Sequence, residues 1–172
     1  AENSDAPVHP VVCKPEFAFV NEDMPESVAK ETEKYYHSRR PVSSLVEAAE
    51  QSGGPTIKVA LYVETDAETD GLPIAEAATG QSIAVSGANW VDVMSPDTNK
   101  GRALQSLADS LGIPIAGTAA IGDYLNDFEM LETAGTAVAM ENGHEKLKDI
   151  ADIVAASNAD HGAIRQLQAW LG

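Results

Sequence analysis

Apolar residues recur in two different rhythms along this chain, and the rhythm changes at Ser95-Pro96-Asp97. Beyond that point, short runs of small or branched apolar residues take turns with stretches of helical period. Residues 99–111 place Ala103, Leu104, Leu107, Ala108 and Leu111 at helical spacing and stop at Gly112, which predicts a helix with those five on its inner face. Residues 117–121 are small and apolar with no alternation, the pattern of a strand buried on both faces. A helix from Asn126 to Gly135, a strand over 136–140, a short helix over 145–151, a strand over 153–155 and an amphipathic helix over 161–171 follow, the last carrying Ile164, Leu167 and Trp170. Strand and helix in strict turn predict a parallel sheet covered on both sides, an α/β arrangement.

The first part reads differently. Residues 8–20 are extended but broken by Pro7, Pro10 and Pro15, which suits edge strands and turns. A helix opens at Pro25 and ends near Arg39-Arg40-Pro41, where the two arginines complement its carboxyl end; a second covers 43–51, stopped by Gly53-Gly54-Pro55. Residues 57–63 form a clear strand, 64–71 an acidic solvated loop, and 74–78 a short helix. Residues 82–85 and 90–94 alternate around Ser86-Gly87-Ala88-Asn89 as an antiparallel hairpin in which Trp90 packs. The domain division expected is therefore an α+β unit over 1–94 and an α/β unit over 95–172.

Charge and cysteine usage narrow the function classes. Twenty-seven acids against 11 bases give a net charge of −16, which argues against a nucleic-acid partner or an anionic membrane surface. Any phosphate site must then draw its positive charge from a metal or a placed lysine. The opening residues 1–7 have neither a basic nor an apolar region of a secretory leader, and no apolar run approaches the roughly 18 residues of a membrane span. The single cysteine, Cys13, reads as a buried small hydrophobe and fits a cytoplasmic protein. His9, His37, His144 and His161 show no paired spacing and read as surface or structural residues.

Candidate chemistry concentrates at Ile121-Gly122-Asp123-Tyr124-Leu125-Asn126-Asp127. Asp123 falls at the carboxyl end of a buried strand, where open parallel sheets bind ligands. Asn126 and Asp127 follow in the first helical turn, so hard oxygen donors converge on one place, as Mg²⁺ requires. The same residues also serve as ordinary helix caps. Lys100 opens a helix, where the dipole disfavours a cation, and it gains a purpose if an anion binds beside it.

The run Ser95-Pro-Asp-Thr-Asn-Lys100-Gly-Arg-Ala-Leu104, then Leu111-Gly-Ile113, Ile121-Gly-Asp-Tyr-Leu-Asn-Asp127 and Met130-Leu131 closely resembles the haloacid dehalogenase-like phosphatases, in particular the Cof-type branch of sugar-phosphate phosphatases. The likeness continues through Val138-Ala-Met140, Asn142-Gly143, Lys148, Ala151-Asp152, Ser157-Asn158 and Asp160-His-Gly162, and covers 95–172 almost without gaps. It implies part of a Rossmann-like core with an α+β cap over 1–94, and a Mg²⁺-dependent phosphatase of a small phosphorylated metabolite that works through an aspartyl-phosphate. It further implies roles: Asp123 and Asp127 on the metal, Lys100 holding nucleophile and phosphate, Asn126 beside the phosphate, and Asp127 supporting metal or lysine.

One departure is large. Nothing in the chain matches the family's Asp-x-Asp-x-Thr motif, which supplies the nucleophile; Asp66-Ala-Glu-Thr-Asp70-Gly71 has the wrong spacing. The expectation is a cap plus the second half of a core, nearly inactive alone. The apolar strand edge at 117–121 would be covered by a second copy of the chain or by a separate N-terminal segment. The alternatives are a non-catalytic binding or regulatory module on the same fold, and a related phosphoglycolate or sucrose-phosphate phosphatase.

Overall fold

The computed structural model describes residues 7–78 and 80–172; the expectation about a secretory leader over residues 1–7 falls, Pro7 apart, outside the described residues. Two compact units divide at Pro96/Asp97, and each is taken by itself.

In the first unit, strands β1 (Val8–Cys13), β2 (Ala18–Asn21), β3 (Arg39–Val42), β4 (Lys58–Val63), β5 (Ser82–Gly87) and β6 (Trp90–Met94) form one sheet in the order β3-β2-β1-β4-β6-β5. Three sequence expectations fail in it. Pro10 lies in an interior strand, paired with Leu61 of β4. Its missing N–H is tolerated because the β1–β2 ladder holds only Val12↔Phe19 and Cys13↔Ala18, which leaves Pro10 without a neighbour on that side. Arg39-Arg40-Pro41 does not end a helix; helix α1 (Glu26–Tyr35) stops earlier, and β3 adds in parallel to β2 at the sheet's edge. There Arg39 donates to the Ala29 carbonyl at 2.9 Å and pairs with Glu33, while the Arg40 guanidinium sits 3.6 Å from the centre of the Phe17 ring.

Helix α2 (Leu45–Gln51) forms as expected, and the hairpin β5–β6 pairs antiparallel with an irregularity between Val85 and Gly87. The acidic stretch after β4 is not an open loop. Asp66 caps a wide helical turn at Ala67–Gly71 by accepting from the Thr69 amide at 2.9 Å, and α3 (Leu72–Ala75) continues from it. Trp90 is buried against the rings of Tyr35, Tyr36 and Tyr62 over a core of Val11, Cys13, Ala18, Val20 and Ala60.

The second unit holds α4 (Lys100–Leu111), β7 (Ala119–Gly122), α5 (Phe128–Thr133), β8 (Thr136–Met140), α6 (Glu145–Lys148), β9 (Ile153–Ala155) and α7 (Gly162–Leu171). The three strands are parallel in the order β7-β8-β9. Alternation along β8 sends Ala137 and Ala139 toward Leu131 and Leu147, and Val138 and Met140 toward Ala155, Ile153 and Ala163. Both faces are thus packed.

Helix α4 is rotated from the expected face. Gly101 and Ala108 are buried and Leu104 half-buried, whereas Ala103, Leu107 and Leu111 are exposed. The cause is Gly101: an added Cβ there would stand 2.4 Å from the Glu129 carbonyl oxygen, so the helix lies on α5 through its glycine. Ile164, Leu167 and Trp170 of α7 are likewise exposed, and the buried side of that helix is made by Gly162 and the half-buried Ala163 and Gln166. The strand expected over 117–121 begins two residues later, because Ile115–Gly117 close a tight 3-10 turn; Ala119 is exposed, and β7 stands at the edge of the sheet.

Candidate functional site

Three elements of the second unit converge at the carboxyl end of β7. Asn99 caps α4, its side chain accepting from the Arg102 amide at 2.8 Å, and sets Lys100 as the first residue of the helix. Strand β7 ends in Gly122, and a 3-10 turn at Leu125–Asp127 leads into α5. A Cβ on residue 122 would stand 2.5 Å from the Asp127 Cβ and 2.9 Å from its Cγ, so glycine is what lets the Asp127 side chain fold back against the strand.

Asp127 is 5% exposed, and both of its carboxylate oxygens are engaged. Oδ2 accepts from the backbone N–H of Asp123 at 3.0 Å and more weakly from that of Tyr124 at 3.4 Å. Oδ1 forms an ion pair with Lys100 Nζ, whose side chain remains 48% exposed. A buried carboxylate costs free energy unless paired and hydrogen-bonded, and Asp127 is both. It therefore steers a lysine ammonium to the strand end while leaving part of that group open to an incoming anion.

Asp123 differs. Its carboxylate is exposed, but its backbone is held at both ends: the N–H by Asp127, and the carbonyl by the His144 amide at 2.9 Å. Asn126 sits half-buried in the same turn. The loop after β8 crosses this strand end through Gly143 and His144, with the His144 ring edge-on to Tyr124 at 5.8 Å. Asn142 ties the same loop onward, accepting from the Asn158 amide at 2.8 Å after β9.

The four residues singled out in the sequence are thus brought together, but with unequal parts. Lys100 and Asp127 form one pair, and Asp123 presents the free carboxylate. Both members of the expected metal set lie here: Asp123 presents an exposed carboxylate, while Asp127 turns Oδ1 to Lys100 and Oδ2 to the amides of Asp123 and Tyr124. Among the described residues no group of three His, Cys, Asp or Glu side chains gathers as a metal site. One exposed carboxylate still fits Mg²⁺, which keeps several waters and binds through one or two carboxylates together with substrate phosphate. Tyr124, Gly143 and His144 were missed as neighbours of Asp123; the turn residues Asn142-Gly143 directly after a buried strand were the signal that could have placed the loop there.

Outside this site, the described residues hold a second buried pair. Lys58 Nζ lies 2.9 Å from Asp92 Oδ2 inside the six-stranded sheet, and Asp92 Oδ1 has no partner. Cys13 is buried, and desolvation pushes its thiol above the ordinary range, so it stays protonated and inert. Among the described residues no helix is long and apolar enough to cross a membrane.

A family model described as haloacid dehalogenase-like hydrolase matches residues 2–167. Phosphatase YwpJ of Bacillus subtilis (strain 168) is 47% identical over 77 residues, 45% of this chain and 27% of that protein. A phosphoglycolate phosphatase of Archaeoglobus fulgidus is 42% identical over 76 residues, 44% of this chain and 34% of that protein. The solved structure of a haloacid dehalogenase-like hydrolase from B. subtilis superposes with a TM-score of 0.77 at 27% identity, over 94% of this chain and 65% of that one. The chain spans less than two thirds of each relative.

Proposed function

Because the chain belongs to the haloacid dehalogenase-like hydrolase family, we propose that it supplies the phosphate- and metal-binding end of a Mg²⁺-dependent phosphatase acting on a small phosphorylated metabolite, a sugar phosphate in the first instance. The observation that carries this reading is the Lys100–Asp127 pair set beside the exposed Asp123 at the carboxyl end of β7. Relatives named as phosphatases, one of them for phosphoglycolate, support the reaction class.

In this reading Lys100 binds a phosphate oxygen as a point charge, held in place by Asp127. Asp123 is the carboxylate that holds Mg²⁺, and Asn126 lies beside the phosphate. Bound Mg²⁺ would neutralise charge that develops on the transferring phosphoryl group. The nucleophile is an aspartate of an Asp-x-Asp-x-Thr motif: its carboxylate oxygen bonds to phosphorus as the ester P–O bond breaks, and the metabolite leaves as an alcohol that takes up a proton. Water then attacks the aspartyl-phosphate, releasing inorganic phosphate and the free carboxylate. No residue of this chain matches that motif, so a further segment supplies it, and the same segment or a second copy covers the free edge of β7. The first unit takes the part of the family's cap, which selects the substrate. A cytoplasmic setting completes the reading and rests on the single buried Cys13.

The test is hydrolysis of p-nitrophenyl phosphate and of a panel of sugar phosphates and phosphoglycolate. The protein is supplied with an Asp-x-Asp-x-Thr segment from a relative. Hydrolysis that needs Mg²⁺ and disappears in Asp123→Asn and Lys100→Met is expected. Hydrolysis that survives either substitution overturns the assignment. Mg²⁺ and phosphate binding with no turnover would mark a non-catalytic binding module instead.

A further inference from the structure

Asp123 owes its position to two bonds, and only one of them belongs to the residues already assigned. Its amide donates to Asp127. Its carbonyl accepts from the backbone N–H of His144 at 2.9 Å, across the gap between β7 and the loop after β8. Both peptide groups that flank the Asp123 Cα are thus hydrogen-bonded, and the residue's side chain stands at the exposed strand end.

The delivery of that second bond is built into the loop. Gly143 donates to the Met140 carbonyl at 2.8 Å, closing a turn directly off β8. A Cβ at residue 143 would stand 2.9 Å from both the Asp123 and the Met140 carbonyl oxygens, and 3.1 Å from the Asp123 Cα. The loop backbone therefore lies directly on the strand end. The His144 side chain then fixes the loop twice. Its Nδ1 accepts from the Lys146 amide at 3.2 Å, capping α6, and its ring meets the Tyr124 ring edge-on at 5.8 Å with 73° between planes. Helix α6 is in turn anchored in the core by the fully buried Leu147, whose amide donates to the His144 carbonyl at 3.0 Å.

We infer that His144 is a positioning residue for Asp123: gripped by Tyr124 on one side and the start of α6 on the other, it holds the bond that aims the metal-binding carboxylate. This rests on the reading of Asp123 given above. Partners that orient a metal ligand from behind carry roughly ten- to hundredfold in metal affinity, which sets the size of the effect to look for.

The informative variant is His144→Asn. Asparagine can still cap α6, so a residue that serves only as a cap is replaced without consequence, whereas the grip on Tyr124 is lost. Hydrogen exchange at the residue-144 amide is followed in the metal-free protein, and Mn²⁺-induced broadening of the Asp123 and Tyr124 amide signals is titrated alongside thermal unfolding. The expected result is a melting temperature close to wild type, at least tenfold faster exchange at residue 144, and Mn²⁺ binding weakened roughly tenfold. His144→Ala should show the same losses with a lower melting temperature. Exchange and Mn²⁺ affinity both within twofold of wild type in His144→Asn overturn the inference alone. A wild-type protein with slow exchange at residue 144 but no broadening centred on Asp123 overturns the metal reading itself, and the inference with it.

Discussion

Among the described residues each unit of the molecule contains a Lys–Asp pair whose carboxylate is buried, and the two are built for different ends. Asp92 lies in the middle of a sheet, reached by Lys58 through Oδ2 alone, with Oδ1 buried and unpartnered. Asp127 lies at the end of a strand, with Oδ1 on Lys100 and Oδ2 on the amides of Asp123 and Tyr124. Both carboxylates are shielded, at 10% and 7% side-chain exposure, while the lysines keep 30% and 48%. A half-satisfied internal pair does little that apolar packing could not do. A fully satisfied pair at the carboxyl end of a parallel strand holds a cation where ligands bind. Burial and pairing alone therefore do not mark a site; the position in the sheet and the second set of hydrogen bonds do.

The sharpest way to break the comparison is to replace both pairs by apolar residues. Lys58→Met with Asp92→Leu should be neutral or stabilising, by up to about 4 kcal/mol, read by denaturant unfolding. Lys100→Met with Asp127→Leu should lower phosphatase turnover of the segment-supplied protein by roughly two to three orders of magnitude. Equal, small effects at both places would erase the distinction.

Glycine substitutions come next. In Gly101→Ala the new methyl meets a backbone carbonyl at 2.4 Å that cannot swing aside, and overpacking of this kind costs about 1–3 kcal/mol. That outweighs the roughly 1 kcal/mol by which alanine favours a helix over glycine. In the first unit, Gly87→Ala places its methyl 3.7 Å from Trp90 Cδ1, an ordinary contact, and should change stability by less than about 0.5 kcal/mol. Urea midpoints of the two variants decide the order.

Most of the second unit was legible in the sequence because its strands are short apolar runs with helices between them, and because its polar residues cluster where strands end. What escaped was orientation. The apolar spacing of α4 pointed to Leu107 and Leu111, but the helix packs through Gly101, a residue whose contribution is the absence of a side chain and which no hydrophobic pattern registers. The first unit was harder. Arg39-Arg40-Pro41 has no strand composition, and it pairs because β2 offers a free edge and because Arg39 and Arg40 find Glu33 and Phe17. Within the site, Lys100, Asp123, Asn126 and Asp127 could be singled out from their places at a strand end and at helix starts, and their roles from the family resemblance. The different surroundings of the two aspartates could not, since they depend on Gly122 letting Asp127 turn back.

The smallest expected effect is on acid stability. The Thr69 amide and hydroxyl hold Asp66 below its ordinary 3.8, and Lys148 holds Glu145 below 4.5. A carboxylate whose value is depressed by folding contributes stability that is present above its ordinary value and lost as pH falls through the depressed one. Melting temperatures should therefore drop below about pH 4, and Asp66→Asn, which keeps an acceptor for Thr69 without the charge, should flatten that slope in the first unit. An unchanged slope would show that the Asp66 cap does not contribute.

The most direct test of the central claim is an amide NMR titration of this chain with Mg²⁺ and inorganic phosphate, together and separately. The account predicts saturable changes centred on Asp123, Tyr124 and Asn126 with Mg²⁺, extension to Lys100 only when phosphate is also present, and loss of the response in Asp123→Asn. Changes centred on residues 7–96, or a response that Asp123→Asn leaves intact, would contradict it.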